Sequence, residues 1–260
     1  MRQLIEDPYF RVEALSKTIN PQQLIYAAMH QDYSEEFVFD ELQWVSDDLS
    51  ASYYNRAGIF ENDAGERIVK NLLKGNRGHY GPLEHPQIVL NIGWFPHSAM
   101  QQFRTHRVGV SFDVQSGRYT SQRIIDVAEE KREVEEVFYL RPVGDYVDRQ
   151  GDRYTYSETH RNLHLERCRA AALQYRMDVK AHGLSEEHAR GMSMFDIRQH
   201  WVMSCNLRSL MHLLLIRGKK DAQPECQQLC WQILPHFEKW CPEIYEWFFE
   251  NLWLKGRLAP

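Results

Sequence analysis

Beyond about Thr159 the apolar residues recur at the spacing of an α-helix in one segment after another, and no other feature narrows the fold as much. The segment THRNLHLERCRAAALQYRMDVKAHG places Leu163, Cys168, Ala171, Leu173 and Met177 near that spacing and stops at Gly183. Ser185 opens a further helix that contains Ala189 and Arg190. The stretch MFDIRQHWVMSCNLRSLMHLLLIRG follows and ends at Gly218, with a helix expected over 201–217. AQPECQQLCWQILPHFEKWCP and PEIYEWFFENLW are amphipathic. Set against these helices is PQIVLNIGWF, an apolar run with β-branched residues that reads as a buried strand entered from the turn GHYGPLEH.

The N-terminal part is less regular. NPQQLIYAAMHQ, residues 20–31, offers Asn20 as an N-cap and Pro21 at the first helical position, so a helix is expected there. Residues 33–61 are mixed and aromatic, and ERIVKNLLK, from Glu66 to Lys74, has helical spacing again. Ala99 to Phe103 reads as a short helix carrying Gln101. The charge pattern of IIDVAEEKREVEE reads as a solvated segment, Tyr139 to Pro142 as a strand end, and GDYVDRQGDRYTYSE as a loop.

Composition excludes several classes. With 260 residues, 43% hydrophobic and 26% charged, the chain fits one soluble globular domain. No run approaches a membrane span and MRQLIEDPYF lacks an apolar leader, so a cytoplasmic protein without membrane partners is expected. A formal net charge of −5 argues against a nucleic-acid reader. Five cysteines without CxxC spacing point to buried thiols rather than disulfides or a zinc ribbon. Cys226 and Cys230, like His160 and His164, stand one helical turn apart with no third ligand, so no metal is expected.

In this acidic chain Gln101 to Arg123 inverts the local sign. Arg104, Arg107, Arg118 and Arg123 stand there against the single acid Asp113. Such a cluster belongs where an anion is held. Ser116-Gly117-Arg118-Tyr119 joins a hydroxyl, a Gly that permits close backbone approach and a guanidinium fork matched to phosphate. Arg104-Thr105-His106-Arg107 adds two cations and an imidazole. In the expected 201–217 helix, Asn206 and Arg217 would share one face, with Arg208 and His212 on roughly the opposite one.

These residues resemble the signature of the flavin-dependent thymidylate synthases, Arg-His-Arg, a seven-residue spacer, then Ser, a small residue and Arg-Tyr. Here Thr105 interrupts the first triplet and eight residues separate Arg107 from Ser116. Gly78-His79-Tyr80-Gly81-Pro82-Leu83-Glu84-His85, Asn206-Leu207-Arg208-Ser209-Leu210, Leu215-Ile216-Arg217 and Ala222-Gln223-Pro224-Glu225 resemble further motifs of that family, in order. The likeness runs from Asn20 to Glu225, apart from an insertion near 121–158.

The resemblance implies an α/β fold of the α+β type, a mostly antiparallel central sheet flanked by long helices, in a single domain over 1–260. It implies reductive methylation of dUMP to dTMP in a homotetramer whose sites lie between subunits. FAD would be the cofactor, with NADPH and methylenetetrahydrofolate as co-substrates. His79, Arg104, His106, Arg107, Asn206, Arg208 and His212 would hold the flavin. Gln101, Ser116, Gly117, Arg118, Arg190 and Arg217 would hold dUMP, with Arg217 and Ser116 in the catalytic places. Ser116 would be a nucleophile only beside a base. The sequence puts none adjacent, so its role is a hydrogen bond. No GxGxxG fingerprint is present, so the flavin would not sit on a Rossmann unit. A non-catalytic nucleotide-binding module and an oligomeric helical scaffold are the competing readings.

Overall fold

The computed structural model describes residues 4–38, 42–43, 54–55, 59–75, 79–148 and 150–256. Its centre is a four-stranded antiparallel sheet in the order β1–β4–β8–β5, with β1 at Arg11–Lys17, β4 at Gln87–Pro96, β5 at Val110–Val114 and β8 at Arg198–Asn206. Two small antiparallel ladders lie apart from it, β2 with β3 (Leu42–Gln43, Tyr54–Asn55) and β6 with β7 (Gly144–Val147, Arg153–Tyr156). Most of the expected loop at 144–158 is therefore a hairpin and the start of a helix.

Register decides which face of the sheet is core. Ile88 pairs with Cys205, Leu90 with Met203 and Ile92 with Trp201, and these six side chains are buried on one face. The opposite face carries Asn91, Val202 and Asp113 in one row and Val89, Ser204 and Ser111 in the next, none of them buried. On the apolar face pack the helices His97–Phe103, Leu207–Arg217, Pro224–Trp240 and Pro242–Phe248.

The expected helix over 201–217 is a correction. Trp201 to Asn206 belongs to β8, and the helix begins only at Leu207. Trp201, Val202 and Met203 are three apolar residues in a row, which hides the alternation of Met203 and Cys205 with Ser204 and Asn206, and no turn residue separates the strand from the helix behind it. The segment after Thr120 is a second correction. Gln122–Ala128 and Val134–Val137 are helical, and Ile124, Ile125, Val127, Val134 and Val137 form a second core with Cys168, Ala172 and Tyr175 of the helix Glu158–Arg176.

The helix Pro21–Gln31 forms as expected, but Asn20 makes no side-chain cap and takes a left-handed φ of 49°. The carboxylate of Glu61 caps it from another helix, accepting the N–H groups of Gln22 and Gln23 at 2.7 and 2.9 Å. The readings at 33–61 fall largely outside the described residues.

Arg198 joins the two cores to the N-terminal segment. It is 1% exposed, and its guanidinium donates to both oxygens of Asp7 at 3.0 and 2.7 Å, to the Glu135 carbonyl at 2.6 Å and to the Trp94 carbonyl at 3.0 Å. Trp94 reaches that donor from a bulge in β4, where its φ is +66°.

Candidate functional site

The helix Leu207–Arg217 leaves β8 at Asn206, whose side-chain Oδ1 caps it by accepting the Ser209 N–H at 2.8 Å. The same turn holds the loop that precedes β5. Ser209 Oγ donates to the Val108 carbonyl at 2.8 Å, and the Asn206 N–H donates to the Gly109 carbonyl at 3.1 Å. Gly109 has φ +64°, and a Cβ there would stand 2.3 Å from Asn206 Nδ2, so only glycine lets the loop lie this close. Asn206 thus has a structural task in addition to the expected cofactor contact.

At the other end of the helix Arg217 is held by three neutral acceptors. Its Nε donates to His106 Nε2 at 3.0 Å, Nη1 to Gln102 Oε1 at 3.2 Å and Nη2 to Thr105 Oγ1 at 2.7 Å. Thr105, the residue that interrupts the signature, supplies one of these acceptors. Among the described residues no carboxylate pairs with Arg217, so its charge remains available to a ligand. Burial, and then the charges of Arg217 and His212, push His106 down to about 4. His106 is therefore neutral near pH 7, and with Nε2 accepting from Arg217 its proton is on Nδ1.

A groove of about 580 Å3 opens beside this cluster, lined by Glu84, Thr105, His106, Arg107, Val108, Val110, Arg208, Ser209 and His212. Arg208 donates to Glu84 at 2.6 Å and lies over the Tyr80 ring, and His106 meets His212 edge to face. Four residues expected to hold a flavin, His106, Arg107, Arg208 and His212, thus line one groove. Its two arginines, two imidazoles and volume suit a flat ligand bearing phosphate. His79 lines a different pocket of about 250 Å3 with Tyr26, His30, Arg67 and Asn71. Arg104, exposed, ends the helix His97–Phe103.

Four of the residues expected to hold dUMP, Ser116, Gly117, Arg118 and Arg190, form a second cluster, from which Gln101 and Arg217 stand apart. Ser116 to Thr120 is a turn in which the Ser116 carbonyl accepts the Tyr119 N–H at 3.1 Å and the Thr120 hydroxyl at 2.9 Å. Arg190 lies against it, with its Cδ 3.8 Å from where a Cβ on Gly117 would be. Arg118 reaches Glu187 at 3.0 Å, and both side chains are exposed. Among the described residues no imidazole or carboxylate is bonded to Ser116 Oγ, which accepts the Arg118 N–H at 3.4 Å. Gln101 turns to His97 at 2.8 Å, and His97 to Gln199 at 2.9 Å, whereas the next residue, Gln102, is the one that meets Arg217.

The protomer does not join the two clusters. The Ser116 turn follows the Val114 end of β5 and the His106 loop enters at its Val110 end, about 14 Å away at the rise of a strand. Among the described residues no hydrogen bond links the Ser116 turn to Arg217.

Sequence reasoning missed a further layer behind Arg217. Glu225, fully buried in the first turn of Pro224–Trp240, is gripped by Arg141 at 2.7 and 3.2 Å and by the Tyr139 hydroxyl at 2.8 Å. Burial pushes this carboxyl up, but the hydrogen bond and charge of Arg141 outweigh it and hold Glu225 below the usual range. All five cysteines are buried, and none is in a disulfide. Desolvation raises Cys168 to about 11 and Cys205 to about 12, and raises Cys226 and Cys241 as well, which leaves no activated thiolate among those four. Among the described residues no cluster could hold a metal, and no helix is long and apolar enough to cross a membrane.

The depressed His106 has a measurable consequence. Its folded value near 4 lies below the ordinary 6.5 of imidazole, so the neutral ring contributes stability that is present above pH 6.5 and lost as pH falls toward 4. Melting temperature should fall less steeply over that window in His106→Gln than in the parent. Equal slopes would show that His106 is not the depressed group.

The family described as "Thymidylate synthase complementing protein" matches residues 13–243. A flavin-dependent thymidylate synthase of Halobacterium salinarum is 32% identical over 96% of this chain and 100% of its own length, and that of Haloarcula marismortui is 30% identical over 96% and 99%. Among solved structures, a UMP/dUMP methylase from Streptomyces cacaoi bound with 5-Br dUMP superposes with a TM-score of 0.71 at 20% identity, covering 99% of this chain and 100% of that one. Thymidylate synthase X from Helicobacter pylori with FAD and dUMP gives 0.59 at 21% identity over 86% and 92%. These likenesses establish the fold expected from the sequence.

Proposed function

This chain belongs to the family of flavin-dependent thymidylate synthases, and from that premise we propose that it is an enzyme converting dUMP to dTMP by reductive methylation. Methylenetetrahydrofolate is the carbon donor and NADPH the reductant of bound FAD. The observation that carries the reading is the groove of His106, Arg107, Arg208 and His212 beside an Arg217 that meets neutral acceptors and, among the described residues, no carboxylate. When bound, the flavin supplies the redox chemistry.

The protein's part is binding, orientation and field. Arg107 and Arg208 balance phosphate charge at the groove. His106, neutral and fixed by Arg217, offers its Nδ1–H, while Arg217 offers positive charge to a pyrimidine edge on which negative charge develops. The Ser116 and Gly117 turn, with Arg118 and Arg190, binds the nucleotide phosphate, and Arg118 exchanges Glu187 for it. Ser116 acts there by hydrogen bonding, because no base adjoins its hydroxyl among the described residues. Arg104 and Asn206 border the flavin, His79 approaches it from its own pocket, and Gln101 approaches the nucleotide from beside His97.

Two clusters separated within a protomer are what a site shared between subunits requires, and the proposal includes a homotetramer. Leu163, Leu173 and Met177 support it, since they leave an apolar stripe exposed along Glu158–Arg176 and the turn that follows it, and so do Val108 and Tyr119, which are more than three-quarters exposed beside the two clusters. The proposal also includes a single domain and a cytoplasmic location, which suits five cysteines held outside disulfides.

The test is the absorbance spectrum and melting temperature of purified protein with and without FAD. A bound flavin should show as yellow protein, and at 100 times its dissociation constant FAD should add about 2.7 kcal/mol of stability. Colourless protein that binds dUMP without an FAD-dependent shift would instead mark a nucleotide-binding module.

A further inference from the structure

Behind Arg217 the amide side chains line up with a single polarity. Arg217 can only donate, so Gln102 must present Oε1 to it, which leaves Gln102 Nε2 facing outward. That Nε2 donates to Gln223 Oε1 at 2.5 Å, and Gln223 Nε2 then donates to Ser98 Oγ at 3.0 Å. Ser98 is itself pinned, its N–H donating to Asp196 Oδ1 at 3.0 Å. The orientation of both amides follows from one fixed cation.

Gln223 is also held from its own side. It is the residue before Pro224, and two residues on, Glu225 is locked in the interior by Arg141 and Tyr139. Gln227 Nε2 closes the preceding loop on the carbonyls of Lys220 and Ala222. Cys226 Sγ stands 3.6 Å from Gln102 Oε1, so the oxygen that receives Arg217 is confined between two donors. An amide at position 102 completes the shell without neutralising Arg217, as a carboxylate would.

We propose that Gln223 is a positioning residue for Arg217, acting through the side-chain amide of Gln102 with Ser98 as the end of the relay. Gln223 touches no substrate. It fixes which face Gln102 presents and thereby keeps the guanidinium aimed past His106 toward the groove. This deepens the activity proposed above and rests on it for its kinetic test.

That test uses Gln223→Met, which keeps length and removes both hydrogen bonds, in the parent and in Arg217→Ala. Turnover should fall about tenfold in the parent background, a factor worth about 1.4 kcal/mol, with a smaller change in KM for dUMP. In Arg217→Ala the same substitution should change turnover less than about twofold, the coupling expected of residues that act as a unit. A second readout needs no activity. In Gln223→Met the NMR titration midpoint of His106 should rise part of the way, because burial, the larger cause of its depression, remains while a loosened Arg217 no longer occupies Nε2 and repels the proton. Full turnover in Gln223→Met, equal losses in both backgrounds, or an unmoved His106 midpoint in a folded variant would each overturn the relay. If the parent makes no dTMP, the activity reading fails and the titration alone decides the relay.

Discussion

Arg217→Ala should lower the steady-state rate of dTMP formation by about 10²- to 10³-fold, the loss of about 2.7 to 4 kcal/mol that follows removal of one preorganised donor at a developing charge. The fall should lie in turnover more than in KM, because the charge that Arg217 meets grows along the reaction. Geometry makes the effect specific. Three acceptors, His106 Nε2, Gln102 Oε1 and Thr105 Oγ1, take one nitrogen each, so the plane of the guanidinium is fixed before any ligand arrives. Arg217→Lys keeps the charge but cannot satisfy three acceptors set for a planar fork, so it should recover only a small part of the rate. Rates measured with FAD, NADPH and methylenetetrahydrofolate decide it, and parent-like turnover in Arg217→Ala would remove Arg217 from the chemistry.

The largest effect on stability is expected at Asp7. Arg198 is 1% exposed, and Asp7 supplies the only carboxylate bonded to it among the described residues. Asp7→Ala leaves a buried guanidinium with two backbone carbonyls and no counter-ion, a change that costs about 3 to 5 kcal/mol. The ion pair adds little net stability when intact, since taking both charges out of water offsets most of their attraction. Its removal is costly because one charge stays behind. The denaturation midpoint of Asp7→Ala should fall accordingly, and a shift below about 1 kcal/mol would show that water reaches Arg198.

The sequence made the strand β4, the helix Pro21–Gln31 and the C-terminal helices legible, because their apolar spacing is set by burial on one face. It hid β8, where the apolar run of Trp201, Val202 and Met203 masks the alternation that marks a strand. It also hid the second core. Charges around Ile124, Ile125 and Val127 outnumber the three apolar groups that the fold turns inward. The cap of Pro21–Gln31 could not be read locally, since Glu61 delivers it from a different helix.

The candidate site divides in the same way. Motifs brought His106, Arg107, Arg208 and His212 to one groove, and Arg190 to Gly117. Adjacent residues on a helix point in different directions, so only the fold shows that Gln102 rather than Gln101 meets Arg217. Thr105 looked like an interruption of the signature and is a ligand of Arg217. The Arg141 and Glu225 pair spans the chain between segments whose contact no spacing announces.

The central claim is that this protein makes dTMP by a flavin-dependent route. Its most direct measurement is dTMP produced from dUMP by FAD-loaded and FAD-free protein, each supplied with NADPH and methylenetetrahydrofolate. The loaded protein should form dTMP, with NADPH consumed as dTMP appears, and the FAD-free protein should form none until FAD is restored. Equal dTMP formation by both forms, or none from protein saturated with FAD, would contradict it.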